Sequence, residues 1–274
     1  MDGTTQTSDL SSAELTLSYG ENVADSALAS VSWSQTIYLD FSDLKYSTDN
    51  SNWTSISSVT SNPSQVSTNV SVSNDSGYIK IDSSGTDEAL KFVLTGSLDG
   101  ELFFANKKGG VMGIYMNGLS ISSGNYPCVE FDKKAGGIYL CLSGTNSLTD
   151  GRIYGTAYSS EHSSVAGYIE AASESKGTFH AKGNLNVSAA ESSAKLTVTE
   201  KYKHGINSSG IINFYGGIVT VKSTGRNGFQ CKNGFNMYGG TVIVYGDGSN
   251  TNNQSRGIVI EGDDTGDTDG LGYF

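Results

Sequence analysis

Proline, cysteine and basic residues are all scarce in this sequence, and each scarcity narrows the classes of fold and function. Only 2 of the 274 residues are proline, whereas 35 are glycine, and Ser, Thr and Asn are abundant throughout. This composition disfavours helices and favours many short strands joined by tight turns. An apolar content of 36% with 10% aromatic residues is too high for a disordered chain. The composition therefore predicts an all-β protein.

The cysteines fit neither a disulfide-dense scaffold nor the CxxC spacing of a zinc site. Cys128, Cys141 and Cys231 form an odd number, so at least one thiol is free or pairs with another chain. We interpret all three as small apolar residues in the wall of a β core.

The scarcity of basic residues argues against some partners. The 17 Lys and Arg face 28 Asp and Glu, which gives a formal net charge of −11 and disfavours nucleic acid. No apolar run reaches the roughly 18 residues that a membrane-spanning helix needs. The nucleophile elbow GxSxG, the Walker loop and HExxH are also absent. We therefore expect no nucleic-acid partner, no membrane span and no recognisable catalytic constellation.

No signal peptide is visible at the start of the chain. Residues 1–7 are polar and resemble the tether of a mature exported protein whose leader has been removed. We therefore expect a protein that is secreted or attached to a cell surface.

What the sequence does contain is an internal repeat. Residues 204–221 read HGINSSGIINFYGGIVTV and residues 227–244 read NGFQCKNGFNMYGGTVIV, an offset of 23 residues without a gap. Seven of the 18 aligned positions are identical, including a Tyr-Gly-Gly step in each copy. A unit of this length cannot bury its apolar side alone, but stacked copies share one continuous core.

The apolar residues of each copy alternate as they do in strands with one buried side. Glycine fits the corners between strands, where a positive φ would penalise a Cβ. The pattern predicts stacked turns of a parallel β-helix, with these residues pointing inward: Ile212, Phe214, Val219 and Val221, and their repeat partners Phe235, Met237, Val242 and Val244. Weaker copies extend the stack and contribute Leu102, Phe104, Ile114 and Met116, then Val129, Phe131, Ile138, Leu140 and Leu142, then Leu185, Val187, Leu196 and Val198, and finally residues 257–260.

The chain divides at about residue 95. Residues 96–274 form the predicted parallel β-helix, with residues 150–176 as a long surface loop between two turns. Residues 1–95 lack the Gly-Gly corner and are expected to form an N-terminal β cap over the end of the solenoid. A small separate β domain is the alternative.

Short strings in the repeat region resemble a family of bacterial cell-surface proteins that contain a carbohydrate-binding domain and fold like pectate lyases. These strings are MNGLSI at residues 116–121, SLTDG at residues 147–151, HGI at residues 204–206 and the two Tyr-Gly-Gly corners. The resemblance covers about residues 90–262. It implies a right-handed parallel β-helix that binds an acidic plant polysaccharide such as pectin, with bound calcium.

A basic stretch stands out against the acidic composition. Between Lys195 and Lys232, six basic residues accompany a single acidic one, Glu200. Equivalent positions on adjacent turns lie about 4.8 Å apart, so residues one repeat apart form a ladder suited to a linear polymer. The candidate carbohydrate-binding residues are Tyr202, Lys203, His204, Lys222, Arg226 and Lys232.

The basic residues have a simpler interpretation, in which they are solvated loop charges that keep a sheet edge soluble. The role of the tyrosines at the two corners also has two interpretations. Tyr215 and Tyr238 suit the stacking of sugar rings, but they also suit a structural side-chain ladder.

Acidic residues cluster near the end of the chain, at residues 262–270. Asp263, Asp264, Asp267 and Asp269 are separated by Gly and Thr and could converge on Ca²⁺, which takes six to eight oxygen ligands. The closing glutamate of an EF-hand is missing. The alternative is a solvated acidic tail.

Together with what the family resemblance implies, these features predict an extracellular, non-catalytic carbohydrate-binding protein for acidic plant cell-wall polysaccharide of the pectin or polygalacturonate type. One alternative is a calcium-dependent lyase of uronate polymers, in which Lys203 or Arg226 would remove the proton beside the carboxylate. The other is a structural adhesin that only spaces a tip from the cell surface. The oligomeric state stays open.

Overall fold

The computed structural model describes residues 13–18, 28, 30–58, 62–106, 109–152, 177–223, 225–246 and 256–261. Over these residues the chain forms 23 β-strands. None of these residues belongs to a helix that is long and apolar enough to cross a membrane. The all-β prediction is confirmed.

Six strands precede the regular stack and supply its ends. They are β1 (Ala13–Ser18), β2 (Gln35–Asp40), β3 (Lys45–Ser47), β4 (Thr54–Ser55), β5 (Ser64–Ser67) and β6 (Val70–Asp75).

About 6 turns of a β-solenoid follow, each made of consecutive strands that pair in parallel with the turns before and after. The first two turns are β7 (Tyr78–Ser83) with β8 (Leu90–Asp99), and β9 (Glu101–Asn106) with β10 (Val111–Ser123). The third is β11 (Val129–Phe131), β12 (Gly137–Ser143) and β13 (Thr145–Asp150), and the fourth is β14 (Phe179–Ala181), β15 (Leu185–Ala189) and β16 (Lys195–Glu200). The last two are β17 (His204–Ser208), β18 (Ile211–Phe214) and β19 (Ile218–Ser223), and β20 (Asn227–Cys231), β21 (Gly234–Met237) and β22 (Thr241–Gly246), after which β23 (Arg256–Ile260) begins another turn.

The strands of the stack line up in three faces. The first face consists of β7, β9, β11, β14, β17, β20 and β23. The second face contains β12, β15, β18 and β21, and the third contains β13, β16, β19 and β22. The long strands β8 and β10 bend from the second face into the third.

The 23-residue repeat sets the register of the last two turns. Val221 pairs with Val244 and Phe214 pairs with Met237, on adjacent strands of the third and second faces. Ile212, Phe214, Val219, Val221, Val242 and Val244 are buried, and Phe235 and Met237 pack against the same core while partly buried. The predicted inward residues are therefore confirmed.

The Tyr-Gly-Gly corners turn the chain from the second face to the third. The second glycine of each corner has a positive φ, +87° at Gly217 and +82° at Gly240. A Cβ on Gly240 would also lie 2.6 Å from the carbonyl oxygen of Gly217. The corner therefore requires glycine for both conformation and space.

The N-terminal strands pair with strands at both ends of the stack. β1 pairs antiparallel with β22 at the far end, whereas β2 pairs in parallel with β8 and β6 pairs antiparallel with β7 at the near end. The parallel stacking reaches back to β7 and β8 and thus begins before residue 96. Whether residues 1–95 act as a cap or as a separate unit stays a prediction.

The first residues of the segment predicted as a loop lie against the stack. Asp150 ends β13 and is buried, and its carboxylate forms an ion pair with Arg152 at 2.5 Å. This pairing holds the start of the segment against the stack, and residues 153–176 lie outside the described residues. All three cysteines are buried and free, as expected for residues of a β core wall.

Candidate functional site

A groove of about 560 Å³ lies on the outer side of the first face, across its last turns. Its lining residues come from β14, β17, β20 and the positions directly before or after these strands and β23. They are His180, Lys203, His204, Asn207, Ser208, Ser209, Arg226, Gln230, Lys232 and Glu261.

Four of the six predicted binding residues line this groove, namely Lys203, His204, Arg226 and Lys232. The repeat explains their proximity, since His204 pairs with Asn227 across adjacent strands. Lys203 directly precedes β17 and Arg226 directly precedes β20, so the two residues occupy equivalent positions on neighbouring turns. The ladder predicted from the 23-residue offset is present at these positions.

The other two predicted residues lie elsewhere. Tyr202 is buried with its ring 4.6 Å from the guanidinium carbon of Arg152, so it packs against another side chain and does not line the groove. Lys222 is exposed on β19, which belongs to the third face.

Six polar residues of the groove were missed by the sequence reasoning: His180, Asn207, Ser208, Ser209, Gln230 and Glu261. Asn207 and Gln230 are paired across β17 and β20, so the repeat alone contained the signal for this pair. His180 pairs with Asn207 from the preceding turn, but its position depends on where β14 resumes after the segment at residues 153–176.

Cations outnumber anions in the groove. Lys203, Arg226 and Lys232 face one carboxylate, Glu261, which accepts a hydrogen bond from the side-chain amide of Gln230. Among the described residues, Arg226 and Lys232 form no ion pair. The groove is therefore a local positive site on a protein whose net charge is −11.

His204 lies in this cationic setting as a neutral imidazole. Burial, helped by the charges of Arg226 and Lys203, lowers the pKa of His204 to about 3. Its Nδ1 atom has no hydrogen-bond partner in the described part of the chain, although only 1% of the residue surface is exposed. A buried polar atom without a partner is costly, so the fold carries this cost beside the groove.

A second histidine is held by an amide. The side-chain oxygen of Asn207 accepts a hydrogen bond from the backbone N–H of Gly177 at 2.7 Å and lies 3.0 Å from Nδ1 of His180. Because that oxygen is an acceptor, Nδ1 of His180 must carry the proton of this bond. The contact fixes the orientation of the His180 ring at the groove.

Glu200 holds the two corners that carry the groove cations. Its carboxylate accepts hydrogen bonds from the backbone N–H groups of Tyr202 and Lys203, both at 2.9 Å. It also accepts from the Ser223 hydroxyl and from the backbone N–H of Gly225 in the next turn. Burial raises the pKa of Glu200, the hydrogen bond from Ser223 opposes this effect, and the resulting pKa is about 7.

The groove is suited to binding anions and hydroxyl groups. Its guanidinium and ammonium groups match carboxylates, and its amides and imidazoles match hydroxyls. Within the described residues, no group of three or more His, Cys, Asp or Glu side chains is placed to hold a metal ion. The predicted calcium ligands Asp263, Asp264, Asp267 and Asp269 lie outside those residues.

Comparison with known proteins is consistent with this chemistry. The model of a family described as carbohydrate-binding domain-containing protein matches residues 59–266, which is more than half of the chain and includes every residue of the groove. No curated protein and no solved structure matches the chain. With its β-solenoid and its groove of sugar-compatible polar groups, the chain belongs to the family of carbohydrate-binding domain-containing proteins.

Proposed function

We propose that the protein binds an acidic polysaccharide of the polygalacturonate type in the groove of the first face and does not cleave it. The observation that carries this proposal is the concentration of Lys203, Arg226 and Lys232 in one groove of a protein with a net charge of −11. An anionic polymer is repelled by most of such a surface and attracted at the groove, where positive charges are concentrated.

The arrangement of the cations suits a linear polymer. Lys203 and Arg226 precede paired strands of the first face, which are about 4.8 Å apart. Lys232 follows β20, so the three charges are distributed along and across the strands. A chain that carries a carboxylate on every sugar can therefore contact several cations at once.

The expected affinity comes from several weak contacts. An exposed ion pair contributes only about 0 to 1 kcal/mol, so no single cation suffices. Linked contacts along one polymer raise the apparent affinity through effective concentration. Asn207 and Gln230 add amide groups that can bond sugar hydroxyls.

The proposal includes an extracellular location, because polygalacturonate is a cell-wall polymer that a bacterium meets outside the cell. Support for this location comes from the resemblance to cell-surface proteins and from the choice of ligand. Fractionation of cells that express the full-length protein would test it.

Affinity electrophoresis tests the proposed ligand. The gel contains either polygalacturonate or its fully methyl-esterified form, in which the carboxylates are neutral. We expect the protein to be retarded only by the charged polymer. Equal retardation in both gels, or none in either, would contradict the proposal and favour a structural adhesin.

A matched pair of double variants locates the site. Arg226→Ala with Lys232→Ala removes two charges from the groove and should abolish most of the retardation. Lys195→Ala with Lys222→Ala removes two charges from exposed lysines of the third face and should leave it unchanged. A similar loss in both pairs would mean that net charge, and not the groove, determines binding.

The same polymer distinguishes binding from cleavage. A lyase would release unsaturated sugars that absorb in the ultraviolet, with or without added calcium. We expect no such absorbance after prolonged incubation. Its appearance, with loss in the Arg226→Ala variant, would establish the lyase alternative instead.

A further inference from the structure

The outer side of the second face carries two columns of uncharged side chains in the last turns. One column is Asn186, Asn213 and Asn236, which occupy paired positions of β15, β18 and β21. The other contains Tyr215 and Tyr238, which follow β18 and β21 directly. Residues two apart on a strand share a side, so the columns run next to each other.

Hydrogen bonds fix the asparagine column. The Asn213 amide donates to the side-chain oxygen of Asn186 at 2.9 Å, and the Asn236 amide donates to that of Asn213 at 2.9 Å. Asn236 is exposed at the end of this chain of amides, and its own oxygen accepts no hydrogen bond from the described residues. The column therefore presents an oriented polar group to a ligand.

Ring stacking fixes the tyrosine column. The rings of Tyr215 and Tyr238 are nearly parallel, with an interplanar angle of 16° and centroids 4.9 Å apart. Tyr238 is 44% exposed. No described strand pairs with the outer edge of β21, so one side of the Tyr238 ring has no described strand beyond it.

This surface differs from the groove in its charge. β15, β18 and β21 contain no ionisable residue, whereas the groove contains Lys203, Arg226 and Lys232. An aromatic ring beside hydrogen-bonding amides suits a pyranose, whose C–H face is weakly apolar and whose edge carries hydroxyls. An uncharged sugar fits such a surface, because these three strands carry no cation that would favour a uronate.

We propose that Tyr215, Tyr238, Asn213 and Asn236 form a second carbohydrate-contact surface, which takes an uncharged pyranose polymer. The rings and amides are already ordered by contacts with one another, so binding loses little side-chain entropy. The surface lies on the same two turns as the groove but on a different face. It does not depend on the ligand proposed for the groove.

Titration calorimetry with two soluble neutral glycans, a linear galactan and a glucan, tests this proposal. We expect at least one of them to bind. Tyr238→Ala should weaken that binding by about tenfold, the factor that one aromatic contact provides. Tyr238→Phe should retain most of it, because the ring remains.

Tyr245→Ala is the matched control. Tyr245 is 39% exposed but lies on β22 of the third face, so its loss should not affect neutral-glycan binding. The groove variant Arg226→Ala with Lys232→Ala should also bind neutral glycan normally, and Tyr238→Ala should retain polygalacturonate. Absence of neutral-glycan binding by the unaltered protein, or an equal effect of Tyr238→Ala and Tyr245→Ala, would overturn the proposal.

Discussion

The side chain of Glu200 accepts a hydrogen bond from the backbone N–H of Lys203 at 2.9 Å, three residues further along the chain. The same carboxylate accepts from Ser223 and Gly225 in the following turn. One buried group thus connects the corner before β17 to the corner before β20. The positions of Lys203 and Arg226 relative to each other depend on this connection.

Replacing Glu200 by glutamine should therefore affect both stability and binding. At pH 8 the carboxylate is ionised, because its pKa is about 7. Glu200→Gln places an amide N–H₂ against backbone donors, which should lower the free energy of unfolding by about 1–3 kcal/mol. Urea titration measures this change, and affinity electrophoresis should show weaker retardation by polygalacturonate.

Glu191 provides the control for this variant. Its carboxylate accepts from the backbone N–H of Gly144 and from the Ser143 hydroxyl at a corner away from the groove. Glu191→Gln should reduce stability without changing the retardation of the folded protein. If both variants weaken retardation equally, Glu200 does not position the groove cations.

The buried histidine should make stability depend on pH. The pKa of His204 is lowered from 6.5 to about 3 in the folded state, so its contribution is present above pH 6.5 and is lost as the pH falls toward 3. The loss is at most about 1.4 kcal/mol for each pH unit in this window.

His204→Asn should remove this dependence, because the paired position of the next turn is already Asn227. Urea titrations of both proteins at pH 7.5, 5.5 and 4 measure the difference. The unaltered protein should lose stability relative to the variant as the pH is lowered. Parallel curves for the two proteins would show that His204 is not held neutral by the fold.

Salt should separate the two proposed carbohydrate surfaces. Raising the ionic strength from about 0.01 M to about 1 M shortens the Debye length from about 30 Å to about 3 Å. We expect the affinity for polygalacturonate to fall strongly over this range and the affinity for neutral glycan to remain nearly constant. Calorimetry on the two polymers checks this, and salt-independent polygalacturonate binding would argue against the groove.

Truncating an aromatic side chain in the middle of the core should destabilise the protein strongly. The rings of Phe104 and Phe131 stack at 4.6 Å with an angle of 7°, and both are fully buried. Phe131→Ala should lower the free energy of unfolding by about 3–5 kcal/mol. Phe235→Ala should be less destabilising, since Phe235 is only partly buried in the last complete turn. Equal losses by urea titration would contradict this gradient.

Calcium binding by the acidic residues near the end of the chain remains a proposal. If Asp263, Asp264, Asp267 and Asp269 hold Ca²⁺, calcium at about 100 times its dissociation constant should stabilise the protein by about 2.7 kcal/mol. Asp267→Ala with Asp269→Ala should abolish this gain, and Mg²⁺ should substitute poorly because it retains its waters. A melting temperature that is the same in chelator and in millimolar calcium would contradict the site.

The repeat made the stack predictable. An identical period of 23 residues implies in-register stacking, and alternation then specifies which residues point inward, as for Val221 and Val244. The same reasoning placed Lys203 beside Arg226, because neighbouring turns repeat their corners. It did not show that Tyr202 is buried before β17 or that Lys222 lies on the third face, since the repeat specifies which residues are neighbours but not which face they belong to.

The sequence by itself determined the all-β class, the parallel stacking, the glycine corners and part of the groove, because each depends on local conformation or on a repeated spacing. Only the tertiary structure decided that His180 joins the groove, that Glu200 connects two corners and that β1 pairs with β22. The position of His180 and the pairing of β1 depend on separations that differ from the 23-residue period, whereas Glu200 connects two corners because its partner one period later is Ser223. The antiparallel pairing of β1 uses backbone hydrogen bonds, which leave little trace in side-chain identity.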